Sequence, residues 1–158
     1  MKRRQNGFSL IELLIVVAII LIIAAIAIPN LIAARMSANE ASAVQSLRTI
    51  QSAETAYATS FPLVGYSSTL NYLGDGGTNP CSASTTQACL IDDVLASGTK
   101  SGYNITYAGD SLTPSVGYTI NADPVIRNST GRRSFFTNYP GVIRYNASVP
   151  ATSSDAPI

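Results

Sequence analysis

The sequence predicts an α+β protein in which one long N-terminal helix packs on a small antiparallel β-sheet. Two apolar patterns point to the helix: an unbroken apolar run near the start of the chain, then an amphipathic stripe that continues to about residue 60. A third pattern points to the sheet. From about residue 100, short segments alternate apolar and polar residues between turn formers. A length of 158 residues suits about one domain. Charged residues make up only 12%, against about 25% in an average soluble domain. The net charge of +1 projects no strong field toward nucleic acid or acidic ligands, so a nucleic-acid partner is not supported. The chain has no His, no Trp and two Cys. Ser-His-Asp and Cys-His arrangements are therefore excluded, as is any metal site needing imidazole.

The first helical element begins behind a basic segment. Residues 1–7 hold Lys2, Arg3 and Arg4, three of the ten cations. By the positive-inside rule this segment stays cytoplasmic and the chain beyond the apolar run is exported. Residues 13–28 are 16 consecutive apolar residues, and the 21 residues 8–28 include only Ser9 and Glu12 as polar members. A helix of that length reaches about 32 Å, against a bilayer core of about 30 Å. An ordinary secretory signal is the plainer alternative, and residues 24–27 (Ala-Ala-Ile-Ala) offer small residues for its cut. The apolar core is longer than such a signal needs, however, and Glu12 is out of place in one.

The run Gly7-Phe8-Ser9-Leu10-Ile11-Glu12 resembles the type IV pilin family, whose precursors carry a short basic leader ending in Gly. Glu12 matches the family's acidic residue and Pro29 its helix proline. The match is strong over residues 7–35 and weaker to about residue 60. The resemblance implies cleavage between Gly7 and Phe8 by a prepilin peptidase, and N-methylation of Phe8. It implies a leader at 1–7, a transmembrane and filament-core helix at 8–34, and an exported pilin domain at 35–158. It further implies a subunit that polymerises into a helical homo-oligomeric filament, with Phe8, Glu12 and Pro29 as assembly residues. A cytoplasmic ATPase and an inner-membrane platform protein would drive assembly. The chain would lie in the inner membrane first and in an extracellular pilus afterwards, with roles in adhesion and twitching motility. No cofactor is implied.

Elementary electrostatics gives Glu12 a reason to be there. A carboxylate inside a membrane helix costs several kcal/mol on the rough scale for charged residues. Cleavage would leave a cationic amine on Phe8, about 6 Å along the axis from Glu12. A neighbouring chain shifted along the axis would present its amine to that carboxylate, neutralising both charges and setting the register. The alternative is a carboxylate that snorkels to the cytoplasmic headgroups.

Beyond the apolar run, Pro29 removes a backbone donor and should kink or loosen the helix. The stripe expected on the sheet domain is Ala34, Ala38, Ala41, Val44, Leu47, Ile50, Ala53, Tyr57 and Phe61. Asn39, Glu40, Gln45, Arg48, Gln51 and Glu54 are expected on the opposite face, and Pro62 ends the segment. Small residues such as Ala24, Ala25, Ala27, Ala33 and Ala34 permit close helix approach.

The remaining elements follow in order. Residues 65–80 read as a surface loop rich in turn formers. Cys81 and Cys89, an even number in an exported segment, predict a disulfide; a metal pair is the rival, but no other soft ligand exists. Residues 91–96 read as a short helix whose adjacent Asp92 and Asp93 mark a solvated start rather than a metal or acid–base site. Strands are expected around Tyr103–Tyr107, Val116–Ile120, 125–127, 134–136 and 142–145, and residues 150–158 as a loose tail. Arg132 and Arg133 are too few to claim a DNA contact. The formal glycosylation sequons at Asn104, Asn128 and Asn146 are weak signals in Ser/Thr-rich sequence. The tyrosines sit mostly in the sheet region, where core packing is the simpler use.

The leading functional expectation is thus a structural pilin subunit and not an enzyme. The runner-up is a minor pilin or a type II secretion pseudopilin. A major pseudopilin usually carries a calcium-binding loop with a Trp-containing motif, and this chain has no Trp. A single-span anchored binding module that stays monomeric is the reading from a different class.

Overall fold

The computed structural model describes residues 8–77 and 80–158, and helix α1 runs through Leu10–Ser60. The expected Gly7 side of the cleavage site lies outside the described residues. The chain divides into two compact units, one ending at Arg35 and the other spanning Met36–Ile158.

In the first unit every described residue is exposed except Ala24, which is half-buried. The helix continues through Pro29, and the Asn30 side-chain amide donates to the Ile26 carbonyl at 3.2 Å. Pro29 therefore does not end the element. The good helix formers on both sides outweigh the loss of one backbone bond.

In the second unit the later part of α1 packs on a six-stranded antiparallel sheet whose spatial order equals its sequence order. The strands are β1 (Thr99–Lys100), β2 (Tyr103–Gly109), β3 (Tyr118–Pro124), β4 (Ser134–Asn138), β5 (Arg144–Asn146) and β6 (Ala156–Pro157). Alternation in β2 and β3 sends Tyr103, Ile105, Tyr118, Ile120 and Ala122 inward. They meet Leu47, Ile50, Ala53 and Tyr57 of α1 and Phe135 of β4 in one core. Register is fixed by pairs such as Ile105 with Ala122 and Ala122 with Phe135. A 3-10 turn at Leu70–Leu73 and the short helix α2 (Asp93–Ala96) close one end of this core with Leu73 and Leu95.

The α+β expectation holds, with corrections of detail. On α1, Ala34, Ala38 and Ala41 are exposed, while Met36, Glu40, Ala43, Ser46 and Glu54 are buried. The expected stripe holds from Val44 to Phe61, which lie in or against the core; its first three alanines do not, and Glu40 and Glu54 turn inward because their carboxylates have partners inside the fold, described below. Residues 125–127 are not a strand: β3 ends at Pro124, and the next residues turn into a loop with Val125 and Ile126 exposed. Val116 also lies outside its expected strand, in a long β2–β3 connection where Asp110 Oδ2 accepts the Val116 N–H at 2.9 Å. The tail at 150–158 is docked rather than loose. Ala151 is buried, Asn121 donates to its carbonyl at 2.8 Å, and β6 pairs with β5. The loop at 65–80 holds the buried Leu70 and Leu73.

Candidate assembly segment

Among the described residues none covers the apolar segment. Phe8 is 78% exposed, and Leu10, Leu13, Ile20, Ile26 and Ile32 are exposed on all sides of the helix. Mean hydropathy reaches 3.3 over its most apolar window, which makes α1 long and apolar enough to cross a membrane. Soluble monomers rarely expose contiguous apolar patches beyond a few hundred Å². The segment therefore needs lipid, other helices, or each in turn.

Glu12 has an intrachain role that spacing alone would have revealed. Ser9-Leu10-Ile11-Glu12 has the form of a capping box. The Ser9 N–H donates to Glu12 Oε2 at 3.0 Å, and the Ser9 carbonyl accepts from the Leu13 N–H at 3.3 Å. Glu12 thus satisfies an orphan donor of the helix start while its charge lies against the positive end of the helix dipole. Among the described residues Oε1 has no hydrogen-bond partner. The carboxylate can cap its own helix and still accept a further donor.

In the second unit two carboxylates tie α1 to the sheet. Glu40 is buried, and its Oε1 accepts the backbone N–H groups of Arg132 and Arg133 at 2.8 and 3.2 Å. Its Oε2 pairs with Arg133 Nε at 2.8 Å. Burial alone would raise the Glu40 carboxyl, but the Arg132 amide and the Arg133 side chain and amide together hold it below the ordinary glutamate range. The Arg133 guanidinium also lies over the rings of Phe135 and Tyr145, at 5.5 and 5.4 Å. Of the basic pair noted in the sequence, Arg133 is therefore a structural cation, half-buried as a residue, and Arg132 is the more exposed of the two.

Glu54 is fully buried and has no ion pair among the described residues. It accepts the Ser67 N–H at 3.0 Å and the Ser67 hydroxyl at 2.5 Å. The Ser67 carbonyl in turn accepts the Tyr107 hydroxyl at 2.8 Å. Burial raises the Glu54 carboxyl, and the Ser67 and Tyr107 bonds only partly oppose that.

Cys81 and Cys89 form the expected disulfide. Asp92 caps α2 by accepting the Leu95 N–H at 2.8 Å and pairs with Lys100 at 2.7 Å. Asp93 instead shares a hydrogen bond with Asp75, which raises Asp93 and lowers Asp75. The adjacent acids thus serve different loops. Among the described residues no group of three or more potential ligands could hold a metal ion. Tyrosines cluster within the domain, with Tyr66–Tyr118 centroids at 5.1 Å and Tyr107–Tyr118 at 6.0 Å.

Comparison with known proteins finds one family motif and three partial relatives. Residues 2–28 match the prokaryotic N-terminal methylation motif. A type IV wide pilus major component, PilA4, from Thermus thermophilus is 66% identical over 38 residues, covering 24% of this chain and 29% of that protein. The type IV major pilin protein PilA of Myxococcus xanthus is 46% identical over 54 residues, covering 34% of this chain and 24% of that protein. The type II secretion system core protein G of Aeromonas hydrophila is 36% identical over 56 residues, covering 35% of this chain and 39% of that protein. The similarity spans well under half the length of each of these relatives. No solved structure matches the chain. The methylation motif and these partial matches liken the chain to type IV pilins and to a type II secretion core protein, and its α+β architecture, a long N-terminal helix with an antiparallel sheet, is pilin-like.

Proposed function

We propose that this chain is a structural subunit of a type IV pilus. It would polymerise through the helix at 8–34 into a surface filament that serves adhesion and motility. One observation carries the reading: the methylation motif at residues 2–28 contains the start of an apolar helix that none of the described residues covers and whose first turn is capped by Glu12. In this reading a prepilin peptidase cuts between Gly7 and Phe8, and Phe8 is N-methylated. An inner-membrane platform and an ATPase then draw the helix from the bilayer into a bundle of copies. Head-to-tail contacts that do not close give an open fibre. Glu12 remains available, through Oε1, to the cationic Phe8 amine of a neighbouring chain, and Pro29 marks the outer end of the packed apolar segment.

A pseudopilin of a type II secretion system is the second reading, favoured by the similarity to core protein G over 35% of the chain. Both readings share the helix-bundle mechanism and differ in the machine served. Mass spectrometry of the mature N-terminus tests the shared part. The expected species starts at Phe8 and carries one added methyl group. A mature chain retaining Gly7, or cut within residues 24–27, would overturn the proposal.

A further inference from the structure

The domain that follows the apolar segment holds a loop whose hydrogen bonds reach back to α1. Asn39 donates to the Thr130 carbonyl at 2.8 Å, and Glu40 accepts the Arg132 N–H at 2.8 Å. These bonds fix the loop at residues 125–132 to the part of α1 that emerges from the apolar segment. Glu40 follows residue 34 by six positions, so even a fully extended chain would hold this loop's anchor within about 22 Å of the segment's end.

The loop is closed by hydrogen bonds around a polar turn at Asn128-Ser129-Thr130, and its exposed apolar residues, Val125 and Ile126, lie at its start, just beyond β3. The Ile126 carbonyl accepts the Ser129 and Thr130 N–H groups at 3.1 and 2.9 Å, and the Asn128 N–H donates to Gly131 at 2.8 Å. Arg127 braces it from below through the carbonyls of Arg132 and Ala147, at 2.7 and 3.1 Å. This frame holds Val125 and Ile126 out at 48% and 60% exposure. Beside them Arg132 is exposed, and its guanidinium has no partner among the described residues. Of the nearby acids, Glu40 is paired with Arg133 and Asp123 is half-buried.

We infer that the loop at 125–132 is a membrane-surface contact of the unassembled chain, with Val125 and Ile126 seated at the headgroup boundary and Arg132 on anionic headgroups. The inference rests on residues 8–34 spanning the bilayer. A few apolar side chains are far too little for a stable protein interface, which buries about 1,200 Å² or more. A bilayer is a better partner, because the span already tethers the loop at high effective concentration and a weak contact suffices. An exposed arginine beside apolar side chains suits a negatively charged lipid surface. Docking would hold the domain down before assembly, and extraction of the chain would release it.

The test uses the full chain, disulfide intact, in vesicles of phosphatidylcholine with or without phosphatidylglycerol. An environment-sensitive fluorophore is placed in turn at Ile126→Cys, at Leu21→Cys in the span, and at Leu63→Cys, which is 86% exposed beyond the far end of α1. With phosphatidylglycerol, the label at 126 should shift to the blue and be quenched by brominated lipid, while that at 63 stays water-like. Arg132→Gln should reduce the docked population about fivefold, as should omission of phosphatidylglycerol. Val125→Cys provides a second reporter if labelling at 126 perturbs the fold. A water-like label at 126 beside a lipid-quenched label at 21 would overturn the docking and leave the span intact. A water-like label at 21 would remove both. Protection at 126 that disappears when the protein is diluted in lipid would mark another copy as the occupant and also overturn the inference.

Discussion

Replacing Glu40 by alanine separates the structure from the simple amphipathic reading of α1. In that reading Glu40 lies on the solvent face, and its loss should change stability by no more than about 0.5 kcal/mol. In the structure its carboxylate accepts two backbone amides and one guanidinium N–H. Leaving the two amides without a partner costs about 1 kcal/mol each. The Arg133 side chain is 43% exposed, so solvent screening holds the ion-pair share to about 0.5 kcal/mol, and Arg133 keeps its contacts with Phe135 and Tyr145. The expected loss is about 2–3 kcal/mol, or roughly 1–2 M in the urea midpoint for a domain of this size. Tyrosine near-UV signals of the full chain in mild detergent report the transition, since there are 8 Tyr and no Trp. The pH dependence adds a second check. The folded Glu40 carboxyl sits below its ordinary value, so its contribution is complete above the unfolded value near about 4.3 and is lost as pH falls through the lower folded value. The gap between wild type and Glu40→Gln should therefore narrow in acid. A midpoint unchanged by Glu40→Ala, or a gap that widens in acid, would refute this account of how the helix is fixed to the sheet.

Glu54 should behave in the opposite sense. Its folded carboxyl is raised, so its contribution is complete below the ordinary glutamate value and declines as pH rises through the folded value. Glu54→Gln should thus gain on wild type between acid and neutral pH in the same urea assay. Replacing both Cys81 and Cys89 with Ser should cost about 2–3 kcal/mol by loop entropy, read from melts with and without reductant. Phe135→Ala, at a fully buried ring, should cost about 3–5 kcal/mol and leave the apolar helix still able to insert into membranes. Glu12→Ala should leave membrane insertion intact but abolish most filament yield, measured by shearing and sedimentation. Normal yield would remove Glu12 from the assembly mechanism.

The parts legible in the sequence were those with strong local signals. The unbroken apolar run at residues 13–28 is the strongest local signal and is long enough to span a bilayer, and the alternation at Tyr103, Ile105, Tyr118 and Ile120 gave the sheet its inner face. The orientation of α1 in the domain was harder to read. Alanines at 34, 38 and 41 are as apolar as a buried stripe but too small to drive burial, and they face outward. Glu40 and Glu54 face inward because their partners, Arg132, Arg133 and Ser67, come from distant loops that no helical periodicity encodes. The tail misled for a similar reason. Its Ser- and Pro-rich composition suggested disorder, yet Asp155 accepts the Thr152 N–H at 2.7 Å and the Asn146 amide at 2.8 Å and fastens it. At the helix start the signal is local: the three-residue spacing of Ser9 and Glu12 encodes the capping bond that the structure shows.

The claim beneath all of this is that the uncovered helix is covered by copies of itself. Electron microscopy of fibres sheared from the cell surface, with their protein content identified, tests it most directly. The account predicts thin fibres composed mainly of this chain, with the helices at 8–34 bundled along the axis and the sheet domains outside. Fibres that lack this chain, or a chain recovered only as membrane-bound monomers, would contradict it.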